Sequence, residues 1–287
     1  MSGRGISVTT ISNKHVLITG GASGLGRLLA LRCAELGATV TIWDLDAAGA
    51  QAVVAEARAG GGTIRAFACD VGDRELVYAR ADEVRTAAGP VDILVNNAGI
   101  VSGKPLLELP DERIELAFKV NALALFWTTK AFLPGMIDRG SGHVVTVASA
   151  AGLIGSPRET DYAASKFAAV GFSEALRLEL KRSAPGIRTT VVCPFYIDTG
   201  MFAGVKTRFP LLLPILKEAV VTERILRGIQ HDRAQVLMPF MVRTLPAMRL
   251  LPVWAFDRLA DFFGVTAAMD EFTGRPAWAS ETEAQGE

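Results

Sequence analysis

Thr19-Gly-Gly-Ala-Ser-Gly-Leu-Gly26 stands between the apolar run His15-Val-Leu-Ile-Thr19 and residues 25–35, whose apolar positions recur at helical spacing. A strand, a glycine turn and a helix in that order open a parallel α/β sheet. Glycines at 20, 24 and 26 let the backbone come close to a bound group. The following helix offers free N–H groups and the positive end of its dipole. A glycine cluster alone is an ordinary tight turn; placed here it points to the pyrophosphate of a nucleotide, held by Gly20, Ser23, Gly24, Leu25 and Gly26.

The alternation continues outward from this unit. Residues 39–43, 64–68, 93–95, 143–147 and 189–192 read as short apolar strands, and 236–239 as a last one. Residues 47–59, 74–88, 111–132 and 161–181 carry helical periodicity, the last two as long helices. Strands apolar along their whole length and separated by helices imply a parallel sheet covered on both faces. Right-handed crossovers make it a doubly wound, Rossmann-like α/β fold. With no internal repeat and no linker-like stretch, residues 1–275 read as a single dinucleotide-binding and catalytic domain. Residues 200–270 are its expected substrate lid and C-terminal extension, and 276–287 a flexible polar tail.

The ends of the strands carry the candidate cofactor contacts. Asp44 closes the second strand, where a carboxylate accepts hydrogen bonds from a ribose diol and repels a 2′-phosphate. No Lys or Arg flanks it or lies within the glycine turn; Arg27 just follows. NAD is therefore expected rather than NADP. Asp70 and Val71 follow the third strand and suit an adenine edge. Asn96-Asn-Ala-Gly99 follows the fourth; its small residues and amides allow close approach at Asn97, Ala98 and Gly99 and can brace the sheet.

Tyr162-Ala-Ala-Ser-Lys166 supplies reactivity. Residues four apart on a helix share a face, so the Lys166 ammonium stands beside the Tyr162 phenol. A free phenol titrates near ~10, and a neighbouring cation favours the phenolate. Ser149, arriving from another strand, can orient a substrate oxygen. This set exchanges a proton with an alcohol or ketone but carries no electrons, so a redox reaction needs the hydride carrier that the glycine turn implies.

Composition sets bounds. Of 287 residues half are apolar, and 30 Lys and Arg balance 30 Asp and Glu. A nucleic-acid partner, which calls for a basic surface, is not expected. Cys33, Cys69 and Cys193 fit no metal or redox spacing and suit a reducing compartment. His15 and His143 open strands and read as structural rather than metal ligands. The first ten residues lack a signal-peptide core, and no apolar run reaches the ~18 residues of a membrane span. The expected location is cytoplasmic, with peripheral membrane contact left open.

Thr19-Gly-x3-Gly-x-Gly26, Asn96-Asn-Ala-Gly99, Asn121, Ser149, Tyr162-x3-Lys166, Pro194 and Thr199, in that order, together resemble the short-chain dehydrogenase/reductase family across about residues 12–202. The resemblance implies that Tyr162 is the general acid/base, that Lys166 holds the nicotinamide ribose and lowers the Tyr162 pKa, and that Ser149 positions the substrate oxygen. It further implies that Asn121 holds a water linking Lys166 to solvent, and that Pro194, Ile197 and Thr199 border the nicotinamide. One departure is Pro194-Phe195, where many relatives have Pro-Gly. Residues 193–202, with Arg208-Phe-Pro and the Leu/Pro-rich 211–216, look similar to a retinol and hydroxysteroid dehydrogenase branch, which implies an apolar substrate. The resemblance also implies a homodimer or homotetramer assembled through the two long helices. Alternatives are a carbonyl reductase of polyketide-like or xenobiotic compounds, and a non-catalytic nucleotide sensor, which would be expected to lose Tyr162 or Lys166.

Phe202, Phe209, Leu211, Leu212, Leu213, Ile215 and Leu216 form an apolar segment broken by Pro210 and Pro214. It reads as a lid with an apolar inner face, or equally as core. Residues 240–265 mix Met, Leu, Trp and Phe with Arg243, Arg249 and Arg258. They suit packing against protein or an amphipathic surface at a membrane interface. Pro246 and Pro252 argue against one long helix there.

Overall fold

The computed structural model describes residues 9–275; the tail expected at 276–287 lies outside the described residues. Strands β1 (His15–Thr19), β2 (Thr39–Asp44), β3 (Thr63–Ala68), β4 (Ile93–Asn96), β5 (Gly142–Val147), β6 (Ile187–Pro194) and β7 (Gln235–Met238) form one sheet. All pair in parallel, in the order β3-β2-β1-β4-β5-β6-β7. The helices are α1 (Gly24–Glu35), α2 (Ala47–Ala59), α3 (Arg74–Ala88), α4 (Asp111–Phe118), α5 (Ala124–Asp138), α6 (Thr160–Ser183), α7 (Glu218–Gln230), α8 (Leu245–Met248) and α9 (Val253–Phe262).

The period-2 alternation of strand side chains explains the two-faced core. Val16 and Ile18 pack with Leu29, Val53 and Ile225 on one face. Leu17 points the other way, to Val77, Phe132 and Leu180. Burying each such side chain contributes about 1.5–3 kcal/mol. Local chemistry sets the helix starts: Asp46 accepts from the Gly49 N–H at α2 and Asp73 from the Leu76 N–H at α3. His15 and His143 tie strands together, each bonding through Nε2 to a threonine hydroxyl of a neighbouring strand, Thr41 and Thr190, at 2.8 Å. Burial lowers both imidazole pKa values, that of His143 to about 4.

The chain runs outward from β1 to β3, then crosses back so that β4 lies on the other side of β1. The crevice above the carboxyl ends of β1 and β4 is the switch point where ligands bind in such sheets. The helix expected over 111–132 is not continuous. A π turn at Lys119–Leu123 separates α4 from α5, which continues past residue 132 to Asp138 with Pro134 inside it. Phe126 on α5 and Leu178 on α6 are apolar yet exposed.

Of residues 200–270, expected as lid and extension, Met201, Phe202 and Val265 line the main cleft, whereas the apolar segment 209–216 divides between core and solvent. Leu213 and Leu216 are buried, whereas Leu211 is 99% exposed. Phe209 packs on Phe262 and Phe263, away from the main cleft. The two prolines and the spacing of the apolar residues send the side chains of this segment to different surfaces.

Candidate active site

At the switch point lies a cleft of about 680 Å³. Its floor is the glycine turn, whose close packing accounts for the residue types. A Cβ on Gly26 would sit 1.9 Å from the Gly20 carbonyl oxygen, and Gly20 and Gly24 have φ of +68° and +51°. Thr19 Oγ1 accepts from the backbone N–H groups of Asn97 and Ala98, both at 3.0 Å. Asn97 Nδ2 returns bonds to the carbonyls of Thr19 and Gly20 at 2.9 and 3.1 Å. The amide expected to brace the sheet therefore braces the turn itself.

Gly20, Ser23, Leu25 and Gly26 line the cleft, while Gly24 lies in the turn behind Thr199 and Arg275. Asp44, Asp70 and Val71 border one end; Asn97, Ala98 and Gly99 border the middle; Pro194, Ile197 and Thr199 border the other side. Asp44 accepts from the N–H groups of Ala22 and Asp46 at 2.8 and 2.9 Å, one on each carboxylate oxygen. Each oxygen keeps a lone pair for a diol. Asp70 Oδ1 accepts from the Gly72 N–H at 2.8 Å. Arg27 turns away from Asp44 and forms a two-pronged ion pair with Glu56, at 2.6 Å at the closest. A glycine cradle too tight for a Cβ, a helix N-terminus and a carboxylate with spare acceptors fit a dinucleotide.

Tyr162, Lys166 and Ser149 meet in the cleft beside this cradle. Lys166 Nζ lies 5.6 Å from the Tyr162 ring centre and donates to the Val147 carbonyl at 3.0 Å. A Cβ on Gly99 would come within 3.3 Å of that ammonium. Ser149 leads off a 3-10 turn, its Oγ accepting from the Ala151 N–H at 3.1 Å.

The electrostatics of the pair carry a contribution that chain spacing does not show, the burial of both groups. Burial pushes the phenol up, and a hydrogen bond with Ser149 opposes it. Lys166 is pushed down to about 8, again chiefly by burial. Desolvation dominates because both side chains are almost wholly enclosed.

Asn121 sits in the π turn and does not line the cleft. Its Oδ1 accepts from the Ile100 N–H at 2.8 Å; its Nδ2 donates to the Ile100 carbonyl at 2.9 Å and to Ser165 Oγ at 3.0 Å. Both amide hydrogens thus tie the loop after β4 to α6.

Three groups in the cleft had no place in the sequence reading. Glu159, at the entry to α6, is 1% exposed and lines the cleft. Its Oε2 accepts from Tyr196 Oη at 3.3 Å, and Oε1 has no hydrogen-bond partner. Burial raises its pKa to about 7. Its position three residues before Tyr162 was the available signal. The second, Tyr196, adjoins the quoted Phe195. Arg275 reaches the glycine turn from the far end of the described chain, so no local signal marked it.

A dinucleotide cradle with a tyrosine–lysine–serine set beside it defines a nicotinamide-dependent oxidoreductase. Residues 14–208 match the family described as short chain dehydrogenase. The chain belongs to that family and acts on CH–OH groups; the family uses NAD or NADP and acts on small molecules. It is 44% identical over 265 residues to epidermal retinol dehydrogenase 2 of Homo sapiens, covering 91% of this chain and 86% of the relative. A short chain dehydrogenase/reductase of Burkholderia phymatum in complex with NAD superposes with a TM-score of 0.77 at 27% identity, over 84% of this chain and 95% of the other. A metagenomic short-chain oxidoreductase in complex with NADP gives 0.67 at 26% identity, over 80% and 97%.

Proposed function

We propose that this protein is an NAD-dependent dehydrogenase of an apolar, retinoid-like alcohol, running in reverse as a reductase of the corresponding carbonyl. The observation that supports this best is the wall around Tyr162. Its ring meets Phe202 edge-on at 5.7 Å, Phe202 meets Tyr196 at 5.1 Å, and Met201, Phe195 and Val265 complete the lining. An apolar, water-excluding wall favours a lipophilic substrate. The relative's name, retinol dehydrogenase, agrees with this reading.

In this reading the backbone of Gly20, Ser23, Gly24, Leu25 and Gly26 holds the pyrophosphate, Asp44 the adenosine ribose, and Asp70 with Val71 the adenine. Asn97, Ala98 and Gly99 admit the cofactor, and Pro194, Ile197 and Thr199 border its nicotinamide. When bound, NAD supplies the hydride acceptor. Ser149 orients the substrate hydroxyl and Tyr162 takes its proton. Lys166 holds the nicotinamide ribose, and its cation offsets part of the cost of a buried phenolate. Asn121 fixes the loop through Ile100 and the helix through Ser165. Asp44, with Arg27 committed to Glu56, supports NAD over NADP.

The test is initial rates on retinoid, steroid, long-chain and sugar alcohols, each with NAD and with NADP. The expected order places an apolar alcohol with NAD first. A preference for the sugar sinks the substrate class, and a preference for NADP sinks the role of Asp44.

Peripheral membrane contact is the second part of the reading. Among the described residues no helix is long and apolar enough to cross a membrane. Phe240, Leu250, Val253 and Trp254 are nevertheless exposed, Leu250 at 88%. Arg243 lies against Phe240 and Arg258 against Trp254, 5.9 and 5.6 Å from the ring centres. Exposed apolar side chains flanked by cations suit an anionic lipid surface.

A further inference from the structure

Residues 268–275 form a strap that joins the apolar pocket to the glycine turn. At one end Ala268 and Met269 are buried with Tyr162, Tyr196 and Val205. In the middle Phe272 faces Phe202, ring centres 6.4 Å apart, and lies where a Cβ on Gly103 would come within 2.1 Å of it. The N–H groups of Thr273 and Gly274 both donate to the Ala203 carbonyl, at 2.9 and 3.3 Å. Gly204, at φ +86°, leaves room for the Glu271 carbonyl, which a Cβ would approach to 2.0 Å. The strap is thus seated by specific bonds and by its close approach to Gly103 and Gly204.

Its last described residue is Arg275. Nη1 donates to Ser23 Oγ at 2.9 Å and Nη2 to the Thr199 carbonyl at 3.1 Å. Nη2 also lies 3.0 Å from where Gly24 would carry a Cβ. The guanidinium therefore rests on the turn at the start of α1 and lines the cleft. The turn has no Lys or Arg of its own, and Arg27 is bound to Glu56. A doubly charged pyrophosphate there would otherwise meet only the helix N-terminus, worth about half a charge. A guanidinium has five N–H donors in a planar fork suited to phosphate oxygens, so donors remain beyond the two bonds seen.

We propose that Arg275 clamps the pyrophosphate of the cofactor, and that the strap thereby links cofactor binding to the closed apolar pocket. The proposal rests on the reading of the cleft as a dinucleotide site. The test is calorimetric titration of NAD, ADP-ribose and adenosine into the native protein, Arg275→Ala and Arg275→Lys, with hydrogen exchange of the Thr273 and Gly274 amides. Loss of a charge-assisted fork is expected to weaken NAD and ADP-ribose about 10–100-fold in Arg275→Ala and less in Arg275→Lys. Adenosine, which has no phosphate, should bind all three alike. NAD should slow exchange of the two amides in the native protein and not in Arg275→Ala. Equal NAD affinity in native and Arg275→Ala proteins overturns the clamp alone, as does an equal loss of adenosine binding. A native protein that binds neither NAD nor ADP-ribose overturns the cofactor reading itself.

Discussion

Burial is the largest influence on the titration of Tyr162, Lys166 and Glu159 alike. It raises the phenol, lowers Lys166 to about 8 and raises Glu159 to about 7. Chain spacing shows that Tyr162 and Lys166 share a helix face; it does not show how dry that face is, so the weight of burial at Tyr162 could not be read from it. Glu159 gives the cleanest consequence. Unfolded, its carboxyl ionises near ~4.3. Between there and about 7 the unfolded chain has released a proton that the folded chain still holds. The unfolded state then binds fewer protons, so stability falls as pH rises through this window. Glu159→Gln removes that loss. Urea unfolding at about pH 5 and about pH 8 should show the variant gaining on the native protein at the higher pH, by a few kcal/mol at most. A difference that does not change with pH contradicts the account.

Among the elements, those defined by local constraint were legible. The glycine turn could be read because its glycines, flanking strand and helix lie within a dozen residues. The π turn could not: helical periodicity runs through 119–123, and its tertiary partners, Ile100 and Ser165, lie elsewhere in the chain. Residues 209–216 show the limit of composition, since apolar character calls for a contact without saying which. The same holds for 240–262, where Pro246 and Pro252 did foretell a broken helix. Its exposed face carries the membrane proposal. The native protein should float with anionic lipid vesicles, and Phe240→Ser with Trp254→Ser should largely abolish this at unchanged melting temperature. A native protein that stays at the bottom of the gradient removes the proposal.

At the scale of the whole molecule, parallel pairing and the return from β3 to β4 place the cradle and Tyr162 beside the carboxyl ends of the central strands. That much followed from the order of apolar strands and helices. Contacts made by residues far apart in sequence did not follow. Arg275 bonds to Ser23 across 252 positions, and Tyr196 to Glu159 across 37. The Tyr162–Lys166 pair was legible because its members are one turn apart; the apolar wall beside it was not, because Phe195, Phe202 and Val265 come from distant parts of the chain relative to Tyr162.

The central claim is that Tyr162 transfers the proton in an NAD-dependent oxidation. Tyr162→Phe keeps the ring and its packing on Phe202 and removes only the hydroxyl. Turnover of an apolar alcohol, measured beside NAD affinity in native and variant proteins, is the direct test. The account predicts that NAD affinity stays within a few-fold while turnover falls by about 10²–10⁴-fold. Turnover close to the native rate would contradict it.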